Sequence, residues 1–215
     1  MLLSFSNVRL GYAGATVLDI PRLDLPAGFY ELHGPNGSGK TTLLKAIAGM
    51  LPLAPARGAI ATASPGATGA IALCGLDSLR DRVAYRRICG FAEAEPVYPE
   101  FLSGIELYAF YAKVKGGEGP YAPVLRSALG LDAFMARRTS TYSSGMLKKL
   151  SLVLAWVGNP QLVLLDEPLV TLDAGAIVAV ESFLGSSPVS LIVTSHQPWG
   201  LTPKRLMILE GALHV

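Results

Sequence analysis

Eight residues, Gly34-Pro35-Asn36-Gly37-Ser38-Gly39-Lys40-Thr41, constrain this chain more than any other stretch. They fit G-x-x-x-x-G-K-[ST] at every defined position. The segment before them, "GFYELHG", reads as a short strand running into a glycine turn. The segment after them, "KTTLLKAIAGM", places Leu43, Leu44 and Ile47 on one helical face, with Gly49 and Pro52 as stop signals. Glycines let successive backbone N–H groups turn inward around an anionic phosphate chain, and the helix N-terminus adds its partial positive charge. In such a loop Lys40 bridges the β- and γ-phosphates and the Thr41 hydroxyl ligates Mg²⁺. The expected nucleotide contacts are Asn36, Gly37, Ser38, Gly39, Lys40, Thr41 and Thr42. The plainer alternative is a glycine turn ahead of an ordinary helix.

A second segment supplies what that loop lacks. Leu162-Val163-Leu164-Leu165-Asp166-Glu167 is an apolar run ending in two carboxylates, and "SLIVTS" is a similar run. Continuous apolar runs suit strands buried on both faces of a parallel sheet, and such strands present ligands at their C-terminal ends. Asp166 can therefore join the Mg²⁺ shell, while Glu167 can polarise an attacking water. Strands also fit "LLSFSNVRL", with Leu3, Phe5 and Val8 near a strand period, and "IALCGL"; "LMILEGALHV" reads as a closing hairpin. Residues 54 to 70 read as turns and short edge strands. "IELYAFYAKV" and "MLKKLSLVLAWVG" read as helices. The second carries Leu147, Leu150, Leu154 and Val157 on its apolar side, with Lys148 and Lys149 facing away. Strands alternating with helices argue for an α/β sheet.

With 215 residues, 51% hydrophobic and 16% charged, the chain can bury a sizeable core and is not of the disordered type. A formal charge of +2 gives no electrostatic reason for a nucleic-acid partner. Cys74 and Cys89 make neither a metal spacing nor a disulfide framework, which suits a reduced compartment. The N-terminus has no signal-peptide pattern, and no apolar stretch reaches the ~18 residues of a membrane span. Work at a membrane would need another chain for the membrane part.

Taken together, these segments resemble the nucleotide-binding subunit of an ATP-binding cassette (ABC) transporter, from about Leu3 to Val215. "YSSGM" (Tyr142 to Met146) is similar to that family's signature loop, usually L-S-G-G-Q. "VTLD" (Val170 to Asp173) matches its D-loop, His196 its switch histidine, and Tyr12 the aromatic that stacks on adenine. The resemblance implies a P-loop NTPase core with a mainly parallel sheet, an antiparallel β subdomain and a helical subdomain at about 95–150, all in one nucleotide-binding domain over 1–215. It also implies an ATP hydrolase using ATP and Mg²⁺, with Glu167, His196 and Lys40 as catalytic residues. Two subunits would sandwich ATP head to tail. Ser143, Ser144 and Gly145 would act on the other subunit's nucleotide, with Asp173 at the dimer interface. Read without the resemblance, Tyr12 is a packing aromatic, His196 caps a strand end, and Asp173 caps the next helix.

Three departures from the family pattern stand out. The glutamine of the loop joining core and helical lobe falls at Ala94, so either Glu93 or Glu95 substitutes at the metal or the contact is absent. Ser144 and Met146 replace a glycine and a glutamine of the signature loop, and Ser144 fits only with φ below zero. The stretch after His196 is short, and Pro198, Gly200 and Pro203 discourage a helix there. "YSSGM" followed by "LKKLSL" resembles the cassettes of ABC-2-type exporters. The implied partners are a separate transmembrane permease subunit and a second ABC subunit. Both half-sites are complete in this chain, which favours a homodimer at the cytoplasmic face of the cell membrane. The rival readings are a non-transport ABC ATPase that regulates or remodels a partner, and a nucleotide-binding module with weak hydrolysis.

Overall fold

The computed structural model describes residues 1–12, 15–51, 53–54, 66–197 and 200–215. The chain divides into two compact units, Met1–Arg86 with Pro203–Val215, and Arg87–Thr202.

In the first unit, β1 (Leu3–Tyr12) pairs antiparallel with β2 (Ala15–Leu25), in a register that sets Phe5 against Leu23 and Val8 against Ile20. The buried positions of β1 run Leu3, Phe5, Val8, Leu10, which breaks a strict alternation. Asn7, at φ 50°, supplies the extra residue, and the pairing on the other side shifts register between Ser6 and Arg9. That is a bulge, and it restores the inward face one residue late. Sequence patterning passes over β2, because Pro21 and alternating charges demote the run; Leu18, Ile20 and Leu25 are nevertheless buried. β3 (Phe29–His33) leads into the glycine loop and α1 (Lys40–Ile47), which buries Leu43, Leu44 and Ile47 as expected. Tyr85 and Arg86 donate to the carbonyls of Ile47 and Gly49, closing the far end of α1. The short β4 (Leu53–Ala54) pairs parallel with β5 (Gly66–Leu73), which pairs with β1. The strand expected over 71–76 is cut by a turn at Cys74 (φ 51°), and β6 (Leu76–Asp77) folds back on β5.

Helix α2 (Arg82–Ile88) carries the chain into the second unit. There β7 (Cys89–Ala92) pairs parallel with β8 (Leu162–Asp166), which has β9 (Ser190–Thr194) on its other side. All five residues of β8 are buried, as an apolar run in a parallel sheet requires. Between β7 and β8 lie α3 (Gly104–Lys115), α4 (Ala122–Ala128) and α5 (Ser144–Ala155), with 3-10 turns at Leu131–Ala133 and Thr139–Thr141. This is the helical lobe expected in the middle of the chain. α5 lies so close to β7 that a Cβ on Gly90 would overlap the Ala155 carbonyl. Trp156, fully buried, meets Tyr121 and Phe183 edge-on at centroid distances of 5.7 and 4.8 Å. Phe183 belongs to α6 (Ala174–Ser186), which joins β8 to β9.

The chain then returns to the first unit. β10 (Lys204–Leu209) pairs parallel with β3, and β11 (Ala212–His214) closes on β10 as the expected hairpin. The fold is α/β, with parallel strands bearing the candidate motifs and an antiparallel sheet built on β1, β2 and β5.

Candidate functional site

In the first unit the glycine loop takes a conformation that its residues permit and few others would. Gly37 and Gly39 adopt φ of 79° and 96°, in the left-handed region. A Cβ on Gly39 would also press to 3.0 Å from Val17, so both backbone and space demand glycine there. Gly39 is the N-cap of α1 and offers no side-chain acceptor, and the first turn of α1 contains no acid. The partial positive charge of this helix start thus meets no acidic side chain from the helix's own first turn. Lys40 folds its ammonium back on the loop, donating to Gly34 O at 2.8 Å and Pro35 O at 3.1 Å. The Ser38 hydroxyl is buried without a partner among the described residues. A loop with a cation, a buried hydroxyl without a partner among the described residues and two left-handed glycines fits a phosphate chain. Asn36, Gly37 and Thr41 are exposed and Thr42 is buried. Tyr12 ends β1, but its side chain lies outside the described residues.

In the second unit the C-terminal ends of three adjacent parallel strands bring together Ala92-Glu93-Ala94, Asp166-Glu167 and Thr194-Ser195-His196. Asp166 is buried at 3% exposure and accepts from Thr194 Oγ1 at 2.6 Å. Glu167 sits at φ 46°, a conformation that costs a non-glycine residue about 1–2 kcal/mol. Its carboxylate accepts from the His196 backbone N–H at 3.2 Å and lies 3.5 Å from His196 Nε2. The histidine side chain is 62% exposed and the glutamate side chain 17%. A carboxylate held at the mouth of a strand beside an accessible imidazole suits proton handling on an incoming water.

Of the loop after β7, Glu95 is exposed and Glu93 half-buried. The Glu93 charge acts on Tyr98 and Tyr111. Burial, first of all, pushes the Tyr98 hydroxyl above its ordinary range, and Tyr98 is hydrogen-bonded to Ser151 of α5. No group of three or more His, Cys, Asp or Glu side chains suited to a metal occurs among the described residues.

The signature-like segment forms the start of α5. Ser143 is the N-cap, its hydroxyl accepting from Met146 N at 3.2 Å. Ser144 opens the helix with φ below zero and lies exposed, so the added hydroxymethyl is accommodated without backbone strain. Gly145 packs on the D-loop: a Cβ there would come within 2.8 Å of the Thr171 carbonyl. Asp173 caps α6, accepting from Ala176 N at 2.8 Å, and pairs with Lys149 at 2.8 Å. Those two hydrogen bonds, that from Lys149 foremost, hold its carboxyl below the usual range.

One residue corrects the sequence reading. Lys148 does not face away; it is 1% exposed. Its ammonium donates to Glu93 O at 2.8 Å, Ala94 O at 3.1 Å and Asp166 O at 2.9 Å. Burial pushes its pKa down to about 8, against the upward pull of the Asp166, Glu167 and Glu95 charges. Burial in α5 goes round the helix, taking in Leu150 to Ala155 without a break. The unbroken apolar run from Leu152 to Val157 already signals a helix covered all round.

The chain resembles known proteins over most of its length. A family model described as ABC transporter matches residues 21–170. The chain is 32% identical over 212 residues to the cytochrome c biogenesis ATP-binding export protein CcmA of Roseobacter denitrificans, covering 96% of this chain and 90% of that one. It is 27% identical over 201 residues to the lantibiotic transport ATP-binding protein SrtF of Streptococcus pyogenes, covering 91% and 80%. A solved structure described as the ATP-binding subunit of an ABC transporter superposes with a TM-score of 0.81 at 24% identity, over 99% of this chain and 88% of that one.

Proposed function

Since this chain belongs to the ABC transporter family and is an ABC-type ATP hydrolase, we propose that it drives a separate membrane subunit, in the export direction, by ATP-dependent closure of a dimer. The observation that carries the catalytic part is the left-handed Glu167 at the end of β8, with its carboxylate against His196. In this reading the donors of the glycine loop and Lys40 hold the β- and γ-phosphates. Thr41 and Asp166 are the hydroxyl and carboxylate that would hold Mg²⁺, a donor set that ion accepts beside substrate phosphates. Bound there, the ion neutralises charge on the phosphate chain. Glu167 accepts a proton from the attacking water, and His196 positions the γ-phosphate. Ser143, Ser144 and Gly145 serve the nucleotide of a second copy, and Asp173 with the D-loop lines the dimer interface. The whole of 1–215 acts as one nucleotide-binding domain, with 95–150 as its helical subdomain.

Support for a membrane partner comes from the helical lobe. Val97 is 88% exposed and Phe101 72%, on the segment that follows Glu93 and Ala94. Large apolar side chains so exposed favour a protein contact. No helix among the described residues is long and apolar enough to cross a membrane, which is consistent with anchorage through a permease at the cytoplasmic face. The similarity to an export protein, and the "YSSGM" form of the signature segment, support export.

ATP turnover by the purified chain tests the catalytic part. Glu167→Gln is expected to lower kcat by about 10²- to 10⁴-fold while nucleotide still binds. Turnover that survives this substitution would remove Glu167 from its role. Replacing both Val97 and Phe101 by Asp is expected to abolish co-purification with the membrane subunit while basal turnover persists. Retained co-purification would move the docking surface elsewhere.

A further inference from the structure

Lys148 is a cation buried where an apolar residue of the same length would pack without losing hydration. All three of its donors are used, and all three acceptors are backbone carbonyls. One of them, Asp166 O, belongs to the peptide bond between Asp166 and Glu167. The N–H of that same peptide donates to Thr194 Oγ1 at 3.0 Å, and Thr194 in turn donates to the Asp166 carboxylate. The peptide plane that sets the direction of Glu167 is therefore gripped at both edges, by Lys148 from α5 and by Thr194 from β9. The residue that follows the gripped plane is the one in the left-handed region, a conformation that persists only where its surroundings over-determine it. The other two bonds of Lys148 go to Glu93 and Ala94, in the loop that leads to exposed Val97 and Phe101.

We infer that Lys148 and Thr194 are positioning residues for hydrolysis. Together they clamp the Asp166–Glu167 peptide so that the Glu167 carboxylate is aimed for water activation, and Lys148 makes that clamp depend on the placement of the 93–94 loop. The inference rests on the reading of Glu167 as the catalytic carboxylate. Neither residue touches substrate in this scheme; Lys148 acts through Glu167, and Thr194 through Glu167 and the Asp166 carboxylate. A movement of the 93–94 backbone removes two of the three acceptors of a buried ammonium. The remaining bond, to Asp166, cannot stay as it was. The hydrolytic carboxylate thus senses the loop through the Lys148 side chain.

The test uses the full chain, at a temperature where every variant is folded. Lys148→Met keeps the length of the side chain and removes the donors; Thr194→Val keeps the shape and removes the hydroxyl. Each is expected to lower kcat about ten- to hundred-fold, the scale of a small misplacement of a catalytic group, with KM and the Kd of a fluorescent ATP analogue within about two-fold of the parent. Lys148→Gln, which keeps an amide donor, is expected to retain more turnover than Lys148→Met. The double variant is expected to lose little beyond the worse single one, because both grip one peptide. Amide exchange is expected to speed up in Lys148→Met at both 93–95 and 166–168. If Lys148→Met fails to fold, Thr194→Val decides the matter by the same kcat-to-KM split, read at saturating Mg²⁺ because Thr194 also holds the Asp166 carboxylate. A kcat within two-fold of the parent, or kcat and nucleotide affinity falling together, overturns the inference. If the parent shows turnover that Glu167→Gln abolishes, such a result leaves the catalytic reading standing. If the parent shows no such turnover, both fall.

Discussion

Helices α3 and α5 begin with the same device, a serine whose hydroxyl accepts from the backbone N–H three residues on. Ser103 does this for Glu106, and Ser143 for Met146. In α3 the exchange is closed: the Glu106 carboxylate accepts from both the N–H and the hydroxyl of Ser103, at 2.7 Å each. The helix start thereby carries its own anion, and the N-cap serine is buried. In α5 the first turn contains no acid, and Ser143 and Ser144 are both exposed. Its donors and partial positive charge meet no anion from its own turn. One helix start completes itself. The other is left to be completed by something that arrives, which in the proposed sandwich is the ATP of the second subunit.

The largest expected effect comes from blocking the open start. Ser143→Arg, placed in the Glu167→Gln background to trap the closed state, is expected to abolish ATP-driven dimerisation on a sizing column while the monomer still binds ATP. A normal dimer would show that the open start of α5 does not receive the nucleotide.

Met146→Glu is the sharper experiment, since it builds on α5 the closed box of α3. The new carboxylate is expected to weaken the ATP-bound dimer about ten-fold or more, by a like-charge clash with phosphate. Monomer stability should hold or rise by about 0.3–1 kcal/mol. Sedimentation and urea melts read the two quantities separately, and loss of both together would refute the contrast.

Opening α3 should have the opposite profile. Ser103→Ala is expected to cost about 1 kcal/mol in stability and to leave turnover per folded molecule unchanged. A fall in kcat with no change in urea midpoint would give α3 a role beyond support.

The smallest effect concerns acid. Hydrogen bonds from Ser103, the side-chain one first, hold the Glu106 carboxyl below its ordinary value. A depressed carboxylate contributes stability that is fully present above its unfolded value and is lost as pH falls through its folded one. Glu106→Gln is therefore expected to flatten the acid side of the stability profile slightly, read as the change in urea midpoint between about pH 7 and about pH 3. A profile parallel to the parent's would mean the box contributes nothing through charge.

How far each part of the molecule is legible depends on the range of the forces that shape it. The glycine loop, the apolar face of α1 and the carboxylates at the end of β8 can be read directly, because glycine conformation, helical spacing and strand ends are local matters. The serine cap of α5 is equally readable. β2 is not, since Pro21 and alternating charges hide a strand that only β1 stabilises. Nor is the bulge at Asn7, which exists to keep Val8 and Leu10 facing inward. That Ala94 falls where the resemblance leads one to expect a glutamine is plain in the text, but that a lysine more than fifty residues on ties this loop down is not.

By itself, then, the sequence determined the family, the glycine loop, the order of the strands carrying Asp166, Glu167 and His196, and the serine-capped start of α5. Each follows from residues within a turn or two of one another. Only the tertiary structure decided that Lys148 is buried, that Thr194 grips the Asp166–Glu167 peptide, and that Glu167 stands in the left-handed region. Burial and hydrogen-bond pairing are settled by which segments pack together. Adjacent Lys148 and Lys149 look alike in the text, but one points into the helix–sheet contact and the other reaches Asp173.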